Sequence, residues 1–253
     1  MNTGSTMNIT SLLFASSLVF VSLIFSYSQK LKLEKEIVIS IIRAVIQLVA
    51  VGYLLNYIFG LKNILFTTLL LLFMTFNASY NAAKRGKDIK NGLLISFASI
   101  ASGTMITLLI LVASGSIKYE PYQIIPVSGM IISNSMVALG LCYKQLGSNF
   151  KNRRDEVETK LALGAEIKTA SVGIIRDSIK TGMLPTIDSA KTLGIVALPG
   201  MMTGLILAGT SPVVAVKFQI MVTFMMLSTT SISSFMACYL AYRNFFNERK
   251  QLK

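Results

Sequence analysis

The chain has 253 residues, 53% hydrophobic and 14% charged, with a net charge of +13 and a mean hydropathy of +0.64. An ordinary soluble enzyme carries more charge than that, so the composition leaves room for membrane helices and one sizeable polar loop but no soluble catalytic domain. There is no His, which removes the commonest metal ligand and the side chain that carries protons near neutral pH.

Seven apolar stretches have roughly the length a bilayer core demands: 8–27, 37–59, 64–79, 92–113, 122–142, 193–208 and 213–239. They predict an all-α, polytopic integral membrane protein of about seven transmembrane helices, in one membrane domain over 1–253 with a loop at 143–191. The basic residues alternate between loops. Lys30, Lys32 and Lys35 follow the first stretch, and Lys84, Arg85, Lys87 and Lys90 follow the third. Lys144, Lys151, Arg153, Arg154, Lys160, Lys168, Arg176, Lys180 and Lys191 crowd 143–191, and Arg243, Arg249, Lys250 and Lys253 end the chain. The intervening loops hold Lys62, Lys118 or no basic residue at all. Excess Lys and Arg mark cytoplasmic loops, so the charge is read as topology and not as nucleic-acid binding. The N-terminus is expected outside, with the C-terminus and 143–191 inside. The first stretch is not expected to be a signal peptide: no Lys or Arg precedes it, and its apolar run is too long.

The second stretch carries Arg43 and, one turn on, Gln47 on the same face. This pair fits a polar path; equally, Arg43 snorkels to the interface and Gln47 bonds a neighbouring helix. Lys217, near the outer end of the last stretch, is read as snorkelling. No Asp or Glu falls inside any of the seven stretches; Glu34, Glu36, Glu120 and Asp188 all lie just before one. Proton- and sodium-driven carriers keep an intramembrane carboxylate or a broken-helix ion site, so a secondary transporter is the weaker reading. An intramembrane enzyme lacks its base and its metal ligands. No phosphate-binding loop of the G-x-x-x-x-G-K-[ST] type occurs, so any ATP is bound by another polypeptide. Cys142 and Cys238 read as small hydrophobes.

In the fifth stretch, Pro126 removes a backbone donor and Gly129 loosens the next turn, while Ser128, Ser133, Asn134 and Ser135 place polar groups at membrane depth. Such a segment lines a pathway or makes a polar helix contact. The sixth carries Pro199, Gly200, Met201, Met202 and Gly204. Its G-x-x-x-G pair favours close backbone approach. Its thioethers are soft metal ligands or gap fillers, and no metal-ligand set is assigned.

Within 143–191, Leu163, Ile167, Ala170 and Ile174 make one apolar stripe that stops at Ser178, and Val172, Ile175 and Ile179 make a second row. Two rows suit an amphipathic helix over 158–179 gripped on both sides, which fits a handle for a soluble partner better than a helix lying on lipid. Glu158, Gly164 and Ile174 match the E-A-A-x3-G-x9-I-x-L-P docking loop of bacterial ABC importer permeases. Thr159 and Lys160 depart from its alanines, and Arg176 and Asp177 from its Leu-Pro.

Arg43-Ala-Val-Ile-Gln-Leu48 with Gly52-Tyr53, Pro126-x-Ser-Gly-Met130 with Asn134-x-Met136, Leu161-Ala-Leu-Gly-Ala165, and Leu198-Pro-Gly-Met-Met-Thr-Gly204 occur in that order. Together they resemble the FetB family of ABC-type permeases over about 37–246. The resemblance implies a homodimeric permease subunit in the bacterial plasma membrane, contacting lipid, with ATP bound and hydrolysed by a separate ATP-binding cassette subunit. It implies metal export, of iron in bacterial members; plant relatives are associated with aluminium tolerance and in some accounts with nucleotide-sugar export. Glu158, Leu163, Gly164, Ile167 and Ile174 are then the docking residues, and Arg43, Gln47, Ser128, Asn134, Pro199, Gly200, Met201, Met202 and Gly204 line the pathway. A membrane scaffold or sensor without transport would use the same loop.

Overall fold

The computed structural model describes residues 9–61, 63–86 and 89–253; Asn8, Lys62 and Lys87, used above, lie outside them. Among the described residues the regular structure is helical. The chain divides into two compact units after Lys62. The first holds α1 (Ile9–Ser16), α2 (Leu18–Ser28) and α3 (Glu34–Leu61). The reversal between α2 and α3 uses left-handed Lys30 and Lys32. It is closed by Ser26, whose hydroxyl accepts the Leu33 N–H at 3.2 Å and donates to the Glu34 carboxylate at 2.8 Å.

The second unit holds α4 (Ile64–Ala83), α5 (Gly92–Ala113), α6 (Pro121–Asn152), α7 (Arg154–Ala162), α8 (Ile167–Thr192), α9 (Gly200–Leu207) and α10 (Pro212–Ala241), then a 3-10 turn at Tyr242–Phe245. The Asn63 side chain accepts the Leu65 N–H at 2.9 Å and caps α4. Pro121 and Pro212 open α6 and α10, where a missing N–H costs nothing. Among the described residues, six helical runs are long and apolar enough to cross a membrane: Thr10–Ser28, Glu34–Asn56, Ile64–Ala83, Gly92–Ala113, Pro121–Asn152 and Pro212–Phe245. They coincide with six of the seven apolar stretches, and the chain is an all-α polytopic membrane protein.

The stretch 193–208 is not a spanning helix. Leu193 leaves α8 in an extended conformation (ψ 131°), Gly194 is left-handed (φ +80°), and Pro199 is again extended. Proline disfavours helical geometry in the residue before it, so Pro199 caps α9 and does not kink a longer helix. The Thr192 carbonyl instead accepts N–H groups from Ile195, Val196 and Ala197 at 3.3, 3.0 and 3.3 Å. Conversely, 143–191 is not a loop. α6 runs on to Asn152, and the helix expected over 158–179 is two helices broken at 163–166.

Helix directions follow from named pairs. Asn134 meets Met226 and Ser135 meets Ser233, so α6 and α10 run parallel. Gly182 packs on Ala138 and Cys142 while Asp177 bonds Arg153, so α8 runs antiparallel to both. The chain must therefore return between the end of α6 and the start of α10. α8 and α9 make that return together, with 193–199 as a non-helical break between them. The row Ala170, Ile174, Ser178, Gly182, Thr186 is buried along α8. The apolar stripe does not stop at Ser178; it continues in small residues, which let α8 sink between α6 and α10.

Candidate functional site

Two regions carry the sequence-derived site residues. The first is the elbow between α7 and α8. Leu161 and Lys160 accept N–H groups from Gly164 and Ala165 at 3.0 and 2.9 Å, closing α7 over a left-handed Gly164 (φ +87°). Gly164 is thus required by backbone conformation; a Cβ there would point into open space, so close approach is not its role within this chain. Leu163 is 83% exposed at the tip. Glu158 is exposed and takes Arg154 Nε at 2.7 Å. Ile167 is partly buried against the main core. Ile174 is 1% exposed: α6 and α10 hold it, so it is not a docking residue. The two apolar rows do mark a helix gripped on both sides, but by its own neighbours.

The elbow is fastened down. Arg153 donates to Glu156 through Nε at 2.7 Å and to Asp177 on α8 through Nη1 at 2.9 Å, and Lys160 reaches Glu156 at 2.6 Å. The Arg153 guanidinium, then the Lys160 ammonium, hold the Glu156 carboxyl well down, to about 2. A groove of about 810 Å³ beside the elbow is lined by Arg154, Leu161, Ile167, Arg249 and Leu252 among others.

The second region is the seam of α6, α9 and α10. Ser128 is fully buried with its hydroxyl unpartnered, and the Gln219 carbonyl is unpartnered nearby on α10. Asn134 donates to the Met130 carbonyl at 2.9 Å and to Met226 Sδ at 3.2 Å. Met201 packs with Met130, Met221 and Met226 against Ile124, Val127, Ile131 and Met225. The helical part of the sixth stretch rests on α10, and Met201 reaches the cluster that α6 and α10 share. α6 is continuous past Pro126, which is exposed. Met202 is half-buried. Gly200 and Gly204 are exposed, and a Cβ on either meets nothing, so no close helix approach uses them within this chain. Arg43 and Gln47 are exposed on α3 in the first unit.

The close approaches are made elsewhere. A Cβ on Gly103 would strike Ser233 Oγ and come within 3.1 Å of the Thr229 carbonyl. One on Gly182 would strike Cys142 Sγ and come within 2.9 Å of the Ala138 carbonyl. Across the same α5–α10 contact, the Thr107 and Thr229 hydroxyls bond at 2.8 Å. Among the described residues, no group of three or more His, Cys, Asp or Glu is placed to hold a metal.

The family model described as "Uncharacterised protein family (UPF0014)" matches residues 9–246. The chain belongs to the UPF0014 family. It is 53% identical over 247 residues to the "Probable iron export permease protein FetB" of Escherichia coli, covering 97% of this chain and 95% of that one. It is 37% identical over 235 residues to "Protein ALUMINUM SENSITIVE 3" of Arabidopsis thaliana, covering 93% and 86%. It is 36% identical over 247 residues to "UPF0014 membrane protein YjkA" of Bacillus subtilis, covering 98% and 99%. No solved structure matches it. The likeness runs over nearly the whole of this UPF0014 chain, and the Escherichia coli relative is the one named a permease.

Two features of this UPF0014 chain escaped the sequence reading. Cys142 and Cys238, read as unrelated, are both fully buried in one core cluster across the α6–α10 contact. Asp188, placed before a span, lies on α8, which packs between α6 and α10. The signal for the second was the i,i+4 row of small residues through Gly182, which marks α8 as packed between neighbouring helices.

Proposed function

We propose that this chain is the membrane-spanning subunit of an ATP-driven exporter of a metal cation, with ATP bound and hydrolysed by a separate ATP-binding cassette subunit. The observation that carries the reading is the elbow: an exposed Leu163 tip held rigidly to α6 and α8 through Arg153. A partner that moves the elbow moves α8, and α8 ends at the break beside the α6–α10 seam. Tipping a two-state permease from 1:99 to 99:1 takes about 5.5 kcal/mol of differential binding, and a rigid lever transmits it without loss to local bending.

The relative named an iron export permease supports iron as cargo, and the relative named for aluminium sensitivity puts a trivalent ion in the test panel. The open Gly200–Gly204 face of α9 suits a second copy of the chain, giving a homodimer in the bacterial plasma membrane. With α8 and α9 as one crossing, the chain crosses seven times. The charge alternation then places the N-terminus outside and the elbow in the cytoplasm.

The test is co-purification of the ATP-binding subunit, followed by ATP-dependent uptake of Fe(II), Mn(II), Zn(II) and Al(III) into inverted vesicles. Stable association with ATP-dependent uptake of a metal is expected. No associated ATPase, or uptake that ignores ATP, overturns the reading.

A further inference from the structure

The C-terminal end of α8, just before the break, carries charge at the level of the apolar part of α6. Gly182 lies against Ala138 and Cys142, and α8 runs antiparallel to α6. Six residues further along α8, a climb of about 9 Å at roughly 1.5 Å per residue, Asp188 stands level with about Ile132–Met136. That is the level of the middle of the apolar part of α6. After the break the chain stays against the flank of the bundle: Met201 is partly buried against the cluster of Ile124, Val127, Ile131 and Val222, although no residue of α9 is fully buried. Asp188 and Lys191 nevertheless expose 62% and 67% of their side chains, paired at 3.0 Å. Ser189 and Thr192 on the same end of α8 are exposed too.

Lipid does not solvate such a face. Ionised side chains at this depth face a water-filled cavity or another protein surface, and non-helical backbone at membrane depth is tolerated only in the same places. The C-terminal end of a half-helix adds the negative end of the helix dipole; the Thr192 carbonyl is taken by the N–H groups of the break and the Ser189 carbonyl by the Thr192 hydroxyl, which leaves the Ala190 and Lys191 carbonyls. Carboxylate, hydroxyl and carbonyl oxygens together suit a hard divalent cation such as Mn(II).

We propose that Asp188, with Ser189 and the carbonyls that end α8, binds the divalent cation cargo in the translocation route, and that Lys191 is a resident counter-ion which the cargo displaces. This rests on the transporter reading above and names the ligands of its cargo. The i,i+3 ammonium holds the carboxylate in place when no cargo is bound. Moving that ammonium aside opens the site without leaving an uncompensated carboxylate in the membrane. The route then runs along the exposed face of α8 and the break, beside the buried α6–α10 seam.

The experiment uses the full chain with its ATP-binding subunit in lipid nanodiscs. Mn(II) binding is read by loss of the free-ion paramagnetic resonance signal, and Fe(II) export is read in vesicles under anaerobic conditions. Asp188→Asn is expected to weaken Mn(II) binding at least tenfold and to abolish Fe(II) export. Lys191→Met is expected to tighten Mn(II) binding severalfold, because a competing cation is gone. In a background with Cys142→Ala and Cys238→Ala, Ser189→Cys is expected to react with a small water-soluble thiol reagent. Unchanged Mn(II) affinity in Asp188→Asn, weaker binding in Lys191→Met, or an unreactive Ser189→Cys in every nucleotide state overturns the proposal. If Asp188→Asn still exports Fe(II), the site is wrong and the permease reading stands. If the unmodified complex does not form or does not export, the permease reading falls, while Mn(II) binding and labelling of the chain alone still judge the site.

Discussion

Arg153 Nη1 donates to Asp177 Oδ2 at 2.9 Å and ties the α6–α7 junction to the third turn of α8. Its Nε holds Glu156 at 2.7 Å, so one guanidinium braces three helices. Each pair is partly exposed and contributes at most about 1 kcal/mol. Arg153→Met is therefore expected to leave thermal stability nearly unchanged. It should raise amide hydrogen exchange severalfold across 154–166 and weaken coupling of ATP hydrolysis to transport. Unaltered exchange in that segment would remove the brace from the mechanism.

The same network has a pH signature. Glu156 titrates at about 2, held down by Arg153 first and Lys160 second. Its folded value lies below the unfolded carboxylate value of about 4.3. The stabilisation is thus fully present above about 4.3 and is lost as pH falls toward 2. Exchange protection of α7 should be flat from pH 7 to 5 and decline below that, while Glu156→Gln should show the acid level of protection throughout. A midpoint near neutral pH would assign the loss to another group.

How far these features were legible depends on what each helix packs against. Six runs stand out because they carry few charged residues over a bilayer's length, and their buried polar groups are mostly small hydroxyls that leave the hydropathy high. α8 hides because Lys168, Arg176, Asp177, Lys180, Asp188 and Lys191 lower its hydropathy to that of a soluble helix, although Ala170, Ile174, Ser178, Gly182 and Thr186 bury one whole face. The Leu163–Ile174 stripe was visible as periodicity, but periodicity does not say which neighbour covers it, and Ile174 went to α6 and α10. Ser128, Asn134 and Met201 were found as polar or soft groups at membrane depth, and they do share one seam. Gly200 and Gly204 fit a packing motif that no neighbour among the described residues fills. Pairs distant in sequence, such as Cys142 with Cys238, leave no local trace.

Gly164 separates backbone conformation from partner contact. Its φ of +87° costs an L-residue about 1–2 kcal/mol, and a β-branched side chain suffers most. Gly164→Val should loosen the elbow and lower partner association, whereas Gly164→Asn should restore most of it, because Asn tolerates the left-handed region. Leu163→Asp should reduce association without loosening the elbow, since Leu163 touches nothing essential in this chain. Equal association by all three variants in pull-downs with the ATP-binding subunit would show that the partner docks elsewhere.

The two glycine classes give a contrast in stability. Gly182→Ala drives a methyl into Cys142 Sγ and the Ala138 carbonyl and should cost about 1–3 kcal/mol through overpacking, read as a lower Tm in detergent. Gly200→Ala meets nothing and should leave the Tm of the isolated chain unchanged, while Gly200→Leu should reduce the dimer fraction in cross-linking. A Tm fall of similar size in Gly182→Ala and Gly200→Ala would mean that α9 is packed more tightly than its open face shows.

Asn134 tests whether the seam beside the break serves transport. Its amide donates to the Met130 carbonyl of its own helix and to Met226 Sδ on α10 at 3.2 Å, so its carbonyl oxygen is the group left to meet a passing ion or water. Asn134→Leu keeps the branched shape, loses that oxygen and adds no charge. Helix formation does not suffer, since Leu is a better helix former than Asn. Insertion, Tm and ATPase association are therefore expected to stay at wild-type levels while metal export falls at least tenfold. Asn134→Gln keeps an amide one methylene longer and should recover part of the export. Full export by Asn134→Leu would make Asn134 a helix-packing residue and leave the route to the α8 face alone.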